Sequence, residues 1–275
     1  MPPIDPITRA ARLIHDADAL VIAAGAGMGV DSGLPDFRGS EGFWRAYPAL
    51  RASGTRFESI ACPTAFESSP AQAWGFYGHR LALYRRTVPH RGFSLLKQWG
   101  EQKQHGYSVF TSNVDGQFQR AGFDPARVHE CHGSILHLQC LQPCSDWIDT
   151  AEFDPEVDMD TCALLNTPPR CPHCGGLARP NVLMFNDWGW VEQRQRGQAA
   201  RQAAWLSSID RPVVIEIGAG TAIPSVRRFA EQLARDSGAR MVRINPLDAR
   251  VPKDSGVGLK MGALAALEAI DQALA

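Results

Sequence analysis

GAGMGVDSGLPDFRG occupies residues 25–39, directly after the apolar run Ala19-Leu-Val-Ile-Ala-Ala24. Glycines at 25 and 27, just past a buried strand, let the backbone turn sharply and bring N–H groups against a phosphate with no Cβ in the way. A dinucleotide is the natural guest of such a turn. The usual dehydrogenase fingerprint places a third glycine three residues after the second, however, and Val30 stands there. A tight turn into a helix is the plain alternative. What favours a ligand is the trio Asp36, Phe37 and Arg38 between Pro35 and Gly39, charged and aromatic residues on an expected loop that core packing explains poorly.

Outward from this turn the chain alternates between two kinds of segment. Short, apolar, often β-branched runs at 19–24, 107–111, 212–217 and 241–244 each end in Gly, Ser, Asn or Asp, as buried strands do. Helical stretches are expected at 71–86, 93–102, 193–207, 225–236 and 259–274, and Asp5-Pro6 opens an earlier helix with Ile7, Ala10, Ala11 and Ile14 on one face. Strands without polar alternation, separated by helices, indicate an α/β fold: a doubly wound, Rossmann-type parallel sheet covered on both faces. The rhythm breaks at 139–179, which holds four paired cysteines, a Pro-rich stretch and an acidic run. A small zinc-binding module inserted there divides the chain into 1–138 and 180–275, the nucleotide-binding domain, and 139–179, the insert.

Composition excludes several classes of function. The 275 residues carry 28 Lys plus Arg against 29 Asp plus Glu, so no overall positive field draws the protein to nucleic acid or anionic lipid. No apolar run approaches membrane-spanning length, and the first residues lack the pattern of a secretion signal. Seven cysteines, an odd number, argue against a disulfide framework. A soluble, cytoplasmic protein with neither nucleic acid nor membrane as partner is the expectation; the oligomeric state is left open.

Cys140 and Cys144, then Cys171 and Cys174, each put two thiols on a tight turn, as tetrahedral zinc requires. The first spacing is one residue longer than the commoner one, so His137 and His173 stand as substitute ligands. Cys62, Cys131 and Cys162 read as small core residues. The acidic surroundings of the cysteines count against a zinc ribbon that reads DNA.

Three further loops follow expected strands: Thr111-Ser112-Asn113-Val-Asp115-Gly116, Gly218-Ala-Gly220-Thr221 and Asn245-Pro246. In a doubly wound sheet the carboxyl ends of strands share one crevice, which places these loops beside the glycine turn, with His132-Gly-Ser134 over it. Together these motifs resemble, in order and over nearly the whole chain, the sirtuins, NAD-dependent protein deacylases. The match runs from Gly25-Ala26-Gly27 and Ser32-Gly33-Leu-Pro-Asp-Phe-Arg38 through Asn113-Val-Asp115, His132-Gly-Ser134, the cysteine pairs and Arg179-Pro180 to Phe185, then Gly218 to Thr221 and Asn245.

The resemblance implies that NAD and an acyl-lysine peptide meet in a cleft between the two parts. NAD would lie against Gly25, Ala26, Gly27, Asp36, Phe37, Arg38, Ser112, Asn113, Asp115, Gly218, Gly220, Thr221 and Asn245. His132 would be the general base toward a ribose hydroxyl, with His137 the competitor for that role. Asn113 would hold ribose and an ordered water, Asp115 the nicotinamide amide, and Phe37 would shield the reacting centre; Val182 and Phe185 would line the peptide site. Zinc on Cys140, Cys144, Cys171 and Cys174 would be structural.

Three departures from the family pattern stand out: Gly29 for Ser, Ser112 for Gln, and Ala219-Gly220-Thr221 for Thr-Ser. Ser112 opens two other readings, a protein ADP-ribosyltransferase and a non-catalytic NAD sensor whose zinc module recruits a partner. Tyr77 and Arg80, three apart on an expected helix, share a face. In sirtuins that prefer acidic acyl groups this spacing binds a distal carboxylate, so succinyl and malonyl groups stand beside acetyl. The alternative is an amphipathic helix with Tyr77 packed inward and Arg80 solvated.

Overall fold

The computed structural model describes residues 5–35 and 39–275, with residues 39–42 described by their backbone alone. Helix α1 (Pro6–Asp16) opens where the Asp5 carboxylate accepts from the N–H groups of Ile7 and Thr8, with Pro6 at the first helical position. Strand β1 (Ala19–Ala24) is buried along its whole length. Four short helices follow: α2 (Gly39–Ala46), α3 (Pro48–Ala52), α4 (Phe57–Ile60) and α5 (Pro63–Ser68). Each is two turns or fewer, too short for a helical period to accumulate in the sequence. Then come α6 (Pro70–Arg86), α7 (Arg91–Glu101), β2 (Tyr107–Thr111), α8 (Gln117–Arg120) and β3 (Val128–Glu130). The next strands are β4 (Gly133–Cys140), β5 (Ile148–Thr150), β6 (Val157–Asp158), β7 (Ala163–Leu164) and β8 (Ala178–Val182). The chain closes with α9 (Gln193–Leu206), β9 (Pro212–Ile217), α10 (Ser225–Ser237), β10 (Arg240–Ile244), β11 (Gly256–Leu259) and α11 (Ala263–Leu274).

Among the described residues the main layer is a six-stranded parallel sheet in the order β11-β10-β9-β1-β2-β3. Successive residues of β1 serve opposite faces: Leu20, Ile22 and Ala24 pack with α1, α7 and α11, while Val21 and Ala23 pack with Phe110, Val214 and the α10 residues Val226 and Ala230. Burial on both faces explains why these strands read as unbroken apolar runs, and the doubly wound α/β architecture stands as expected.

Two elements differ from the sequence expectation. The final helix begins at Ala263 rather than 259, because Gly256–Leu259 is the edge strand β11. Its glycines look like loop residues in sequence, yet a Cβ at Gly256 would strike the Met241 carbonyl oxygen and one at Gly258 the Ala249 carbonyl oxygen. At the opposite edge, β3 is polar because α9 matches it: His129 Nδ1 lies 2.8 Å from Gln202 Oε1, and Glu130 N–H donates to Gln198 Oε1 at 3.0 Å.

The second layer is a three-stranded antiparallel sheet, β5-β4-β8, with the β6-β7 hairpin beside it. The helices α2 to α6 pack on these strands: Phe43, Tyr47, Phe66, Trp74, Phe76 and Tyr77 share one apolar cluster with Ile135, Leu138, Ala151, Cys162 and Leu164. Trp74 Nε1 donates to the Ala178 carbonyl at 3.0 Å. Strands β4 and β8 pair across residues 138/139 and 179/180, and after a register shift between Leu138 and Ser134 the pairing resumes as far as Gly133, next to His132. No helix of the described residues is long and apolar enough to cross a membrane.

Candidate functional site

A cavity of about 630 Å³ lies between the layers, at the carboxyl ends of β1, β2, β9 and β10. Gly25 and Ala26 form part of its wall, as do Ser112, Asn113, Asp115, His132, Gly218, Gly220, Thr221 and Asn245. Asp36, Phe37 and Arg38 lie outside the described residues.

The glycine turn also packs against a second turn. Gly25 N–H donates to the Ile217 carbonyl at 2.9 Å and Gly27 N–H to the Gly218 carbonyl at 3.0 Å. Gly27 does not reach the cavity wall, and the Ala26 N–H is the donor of this turn that carries no backbone hydrogen bond among the described residues. The glycines are needed because two turns meet backbone to backbone: a Cβ at Gly25 would lie 2.7 Å from Ala219 Cα and 2.8 Å from the Gly218 oxygen. Gly218 itself sits at φ +61°, which only glycine adopts freely.

Two asparagines lock these turns. Asn113 Nδ2 donates to the Gly25 carbonyl at 3.0 Å, while Thr111 Oγ1 donates to the Ala24 carbonyl at 2.9 Å and accepts from Asn113 N–H at 3.0 Å. Asn245 Nδ2 donates to the Ala219 carbonyl at 2.9 Å and its Oδ1 accepts from Leu247 N–H at 3.0 Å. Asp115 Oδ1 accepts from Gln117 N–H at 2.9 Å, and burial pushes its carboxyl up to about 6.

His132 is partly buried, which lowers its pKa from the ordinary histidine value, opposed by a hydrogen bond to the Ser112 backbone. Its Nε2 lies 3.2 Å from Ser225 Oγ, a partner 93 residues away that sequence reasoning missed. His137 is elsewhere: it lines a separate depression of about 410 Å³ with Asp149 and Arg194, and burial drives its pKa down to about 4.

Tyr77, Arg80, Val182 and Phe185 all reach the main cavity. Tyr77 is 1% exposed and Arg80 8%, which overturns the reading of Arg80 as solvated. Helix α6 buries Ala73, Trp74, Phe76, Leu81 and Tyr84 as well, and position 80 falls on this packed side. Arg80 Nε donates to Tyr84 Oη at 2.9 Å, and its guanidinium carbon lies 5.2 Å from the centre of the Phe76 ring. Sequence reading also missed Arg227 and Asp248 on the wall, joined by an Nη2 bond to the Asp248 carbonyl at 2.7 Å. The one available signal was that Asp248 prolongs the Asn245 loop.

The cysteines come together as expected. The four sulfurs of Cys140, Cys144, Cys171 and Cys174 lie within 4.8 Å of one another, with Cys140 to Cys174 and Cys144 to Cys171 each 3.6 Å. Tetrahedral zinc at the usual Zn–S distance sets sulfurs roughly 3.8 Å apart, so the cluster is compatible with zinc. Neither His137 nor His173 belongs to it among the described residues. None of the four lines the cavity.

Residues 25–210 match the model of the Sir2 family. The chain is 32% identical over 238 residues to NAD-dependent protein deacylase 2 of Pyrobaculum aerophilum, covering 86% of this chain and 82% of that one. It is 29% identical over 276 residues to the NAD-dependent protein deacylase of Aeropyrum pernix, covering 98% of each. Among solved structures, a mutant Sir2 homologue in complex with ADP-ribose is alike in fold, with a TM-score of 0.71 at 23% identity over 96% of this chain and 95% of that one.

Proposed function

Because the chain belongs to the Sir2 family and its relatives are NAD-dependent protein deacylases, we propose that it removes acyl groups from protein lysines at the cleft that holds His132. The observation that carries this reading is the convergence, on one cavity, of His132 with the turns that follow β1, β2, β9 and β10. NAD, when bound, supplies the ADP-ribose acceptor for the acyl group and releases nicotinamide. The bare backbone at Gly220, where a Cβ would meet nothing within 4 Å, is a cradle open to such a ligand.

In this reading the chain's own groups divide the labour. His132, its pKa lowered by burial, offers an imidazole that can take a proton from a ribose hydroxyl. The half-buried Asp115 carboxyl at the cavity wall offers oxygens to an amide. Val182, Met184 and Phe185 give an apolar wall for the lysine stem, and Phe185 is fixed there by its N–H bond to the Ala61 carbonyl at 2.9 Å. Arg80 supports a narrower reading. A guanidinium buried at the cavity wall and steadied through Nε favours acyl groups that end in a carboxylate, succinyl or malonyl, over acetyl. Zinc on the four cysteines would leave no open position and would hold the second layer.

The test is mass spectrometry of acetyl-, succinyl- and malonyl-lysine peptides incubated with NAD and the native protein, His132→Ala or Arg80→Gln. NAD-dependent removal that disappears in His132→Ala is expected, with Arg80→Gln losing the acidic acyl groups selectively. Protein labelled with ADP-ribose while every peptide stays acylated would instead support the transferase.

A further inference from the structure

His132 enters the cleft on a backbone held from both sides. Cys131 N–H donates to the Thr111 carbonyl at 2.9 Å, and the His132 carbonyl accepts from Leu183 N–H at 2.9 Å. Sheet β2 on one side and the end of β8 on the other therefore fix where the side chain starts. They do not fix the rotation of the imidazole about its two side-chain bonds.

That rotation is met by a residue from a different element. Ser225 Oγ lies 3.2 Å from His132 Nε2. Ser225 is the first residue of α10, whose Val226 and Ala230 pack beneath the sheet against Val21, Val214 and Met241. Its neighbours Ile223, Val226 and Arg227 line the cavity and Ser225 does not, so the hydroxyl stands behind the ring rather than beside a ligand. The Ser112 backbone also acts on the ring, countering the lowering of its pKa. The first residue of α10 and the loop after β2 thus both act on one imidazole.

On the reading of His132 as the base, we propose that Ser225 is a positioning residue: its hydroxyl holds the imidazole in the orientation that meets the ribose hydroxyl. A hydroxyl suits this task because it donates or accepts, adapting to whichever nitrogen carries the proton. The charged groups on the surrounding elements are Asp115 after β2, Glu130 on β3, Arg227 on α10 and Asp248 after β10. None of them is among the causes of the lowered His132 pKa, which burial dominates. The His132 part of the acid limb therefore reports the ring's burial and hydrogen bonds, while the Asp115 carboxyl, pushed up to about 6, contributes to that limb equally in native protein and Ser225 variants.

The experiment is steady-state kinetics of the full-length chain with acetyl- and succinyl-lysine peptides at saturating NAD, over the acid and neutral range, for native protein, Ser225→Ala, Ser225→Thr and His132→Ala. Loss of one hydrogen bond on the ring lowers kcat roughly fivefold, leaves the peptide KM and the NAD Kd within about twofold, and moves the acid limb of kcat/KM. An upward move shows that the hydroxyl donates to a ring lone pair, a downward move that it accepts from ring N–H; both support the proposal. Ser225→Thr, which keeps a hydroxyl, restores both kcat and the limb. An unmoved limb with native kcat in Ser225→Ala overturns the proposal, as does a deficit that Ser225→Thr fails to repair. Should Ser225→Ala fail to fold, seen as a lowered melting temperature, native kinetics in Ser225→Thr support the proposal and a shifted limb there overturns it. A His132→Ala protein that still deacylates overturns the base itself; inactive His132→Ala beside an unaffected Ser225→Ala overturns the role of Ser225 alone.

Discussion

The cysteine cluster and the cleft differ in how much chain each needs. Two turns, at Cys140 to Cys144 and at Cys171 to Cys174, bring four sulfurs within 4.8 Å, and ligand type and spacing carry nearly all the information. The cleft draws on residues from Gly25 to Asp248, and what brings them together is the parallel register of four strands. A site built from one short stretch is written in its own residues, whereas a site built at strand ends is written in the sheet. Yet the two are joined. The β4–β8 ladder pairs Cys140 with Ala178 at one end and Gly133 with Val182 at the other, one residue from His132.

Removing the metal tests that junction and has the largest expected effect. One zinc per chain should be found by metal analysis. A strong chelator, or Cys171→Ser, should destabilise the second layer by several kcal/mol, seen as a fall in melting temperature, because metal binding and folding of such a cluster are linked. Deacylation should fall with it, since the ladder that ends at His132 loses its far anchor. A chelated protein that keeps both its melting temperature and its kcat would show the two regions to be independent.

What could be read from residues alone follows the same division. Strand runs such as Pro212–Ile217 were legible because both faces are buried, and the loops after them were legible as cavity wall because strand ends share a crevice. The edges were not. The polarity of Val128-His129-Glu130 makes sense only against Gln195, Gln198 and Gln202 of α9, so neither segment shows its partner by itself. The backbone packing of the glycine turn was not legible for a related reason: a glycine that admits a ligand and one that admits another backbone look alike in sequence, and Gly25, on the cavity wall, also meets the Gly218-Ala219 backbone. For Arg80 the helical period gave the face shared with Tyr77 but could not say that this face of α6 is the buried one.

A smaller effect separates the cleft's chemistry from its stability. Burial raises the Asp115 carboxyl from 3.8 to about 6, so the folded chain holds this proton more tightly than the unfolded chain does. Between those values the folded state binds more protons, and stability therefore declines as pH rises through the window, levelling off above it. The contribution present at the acid end and lost at neutral pH is about 3 kcal/mol. Asp115→Asn should flatten that part of the stability–pH curve in urea titrations while weakening NAD binding. A curve of unchanged slope would mean that the carboxyl is solvated and charged throughout.

The sharpest contrast comes from two glycines of the same wall. At Gly25 an added Cβ would sit 2.7 Å from Ala219 Cα and 2.8 Å from the Gly218 oxygen, backbone atoms that yield only if the β1 and β9 turns part. Gly25→Ala should therefore cost about 1–3 kcal/mol of stability, as overpacking does, and weaken NAD binding as a consequence. At Gly220 the same Cβ would meet nothing within 4 Å, so Gly220→Ala should leave stability within about 0.5 kcal/mol of native. Its effect on NAD affinity, read by calorimetry beside the melting curve, then has one source, the ligand itself. Weaker binding at unchanged stability places the cofactor against Gly220, whereas unchanged binding places the cofactor's path elsewhere along the wall and leaves Gly220 a spacer between the two turns.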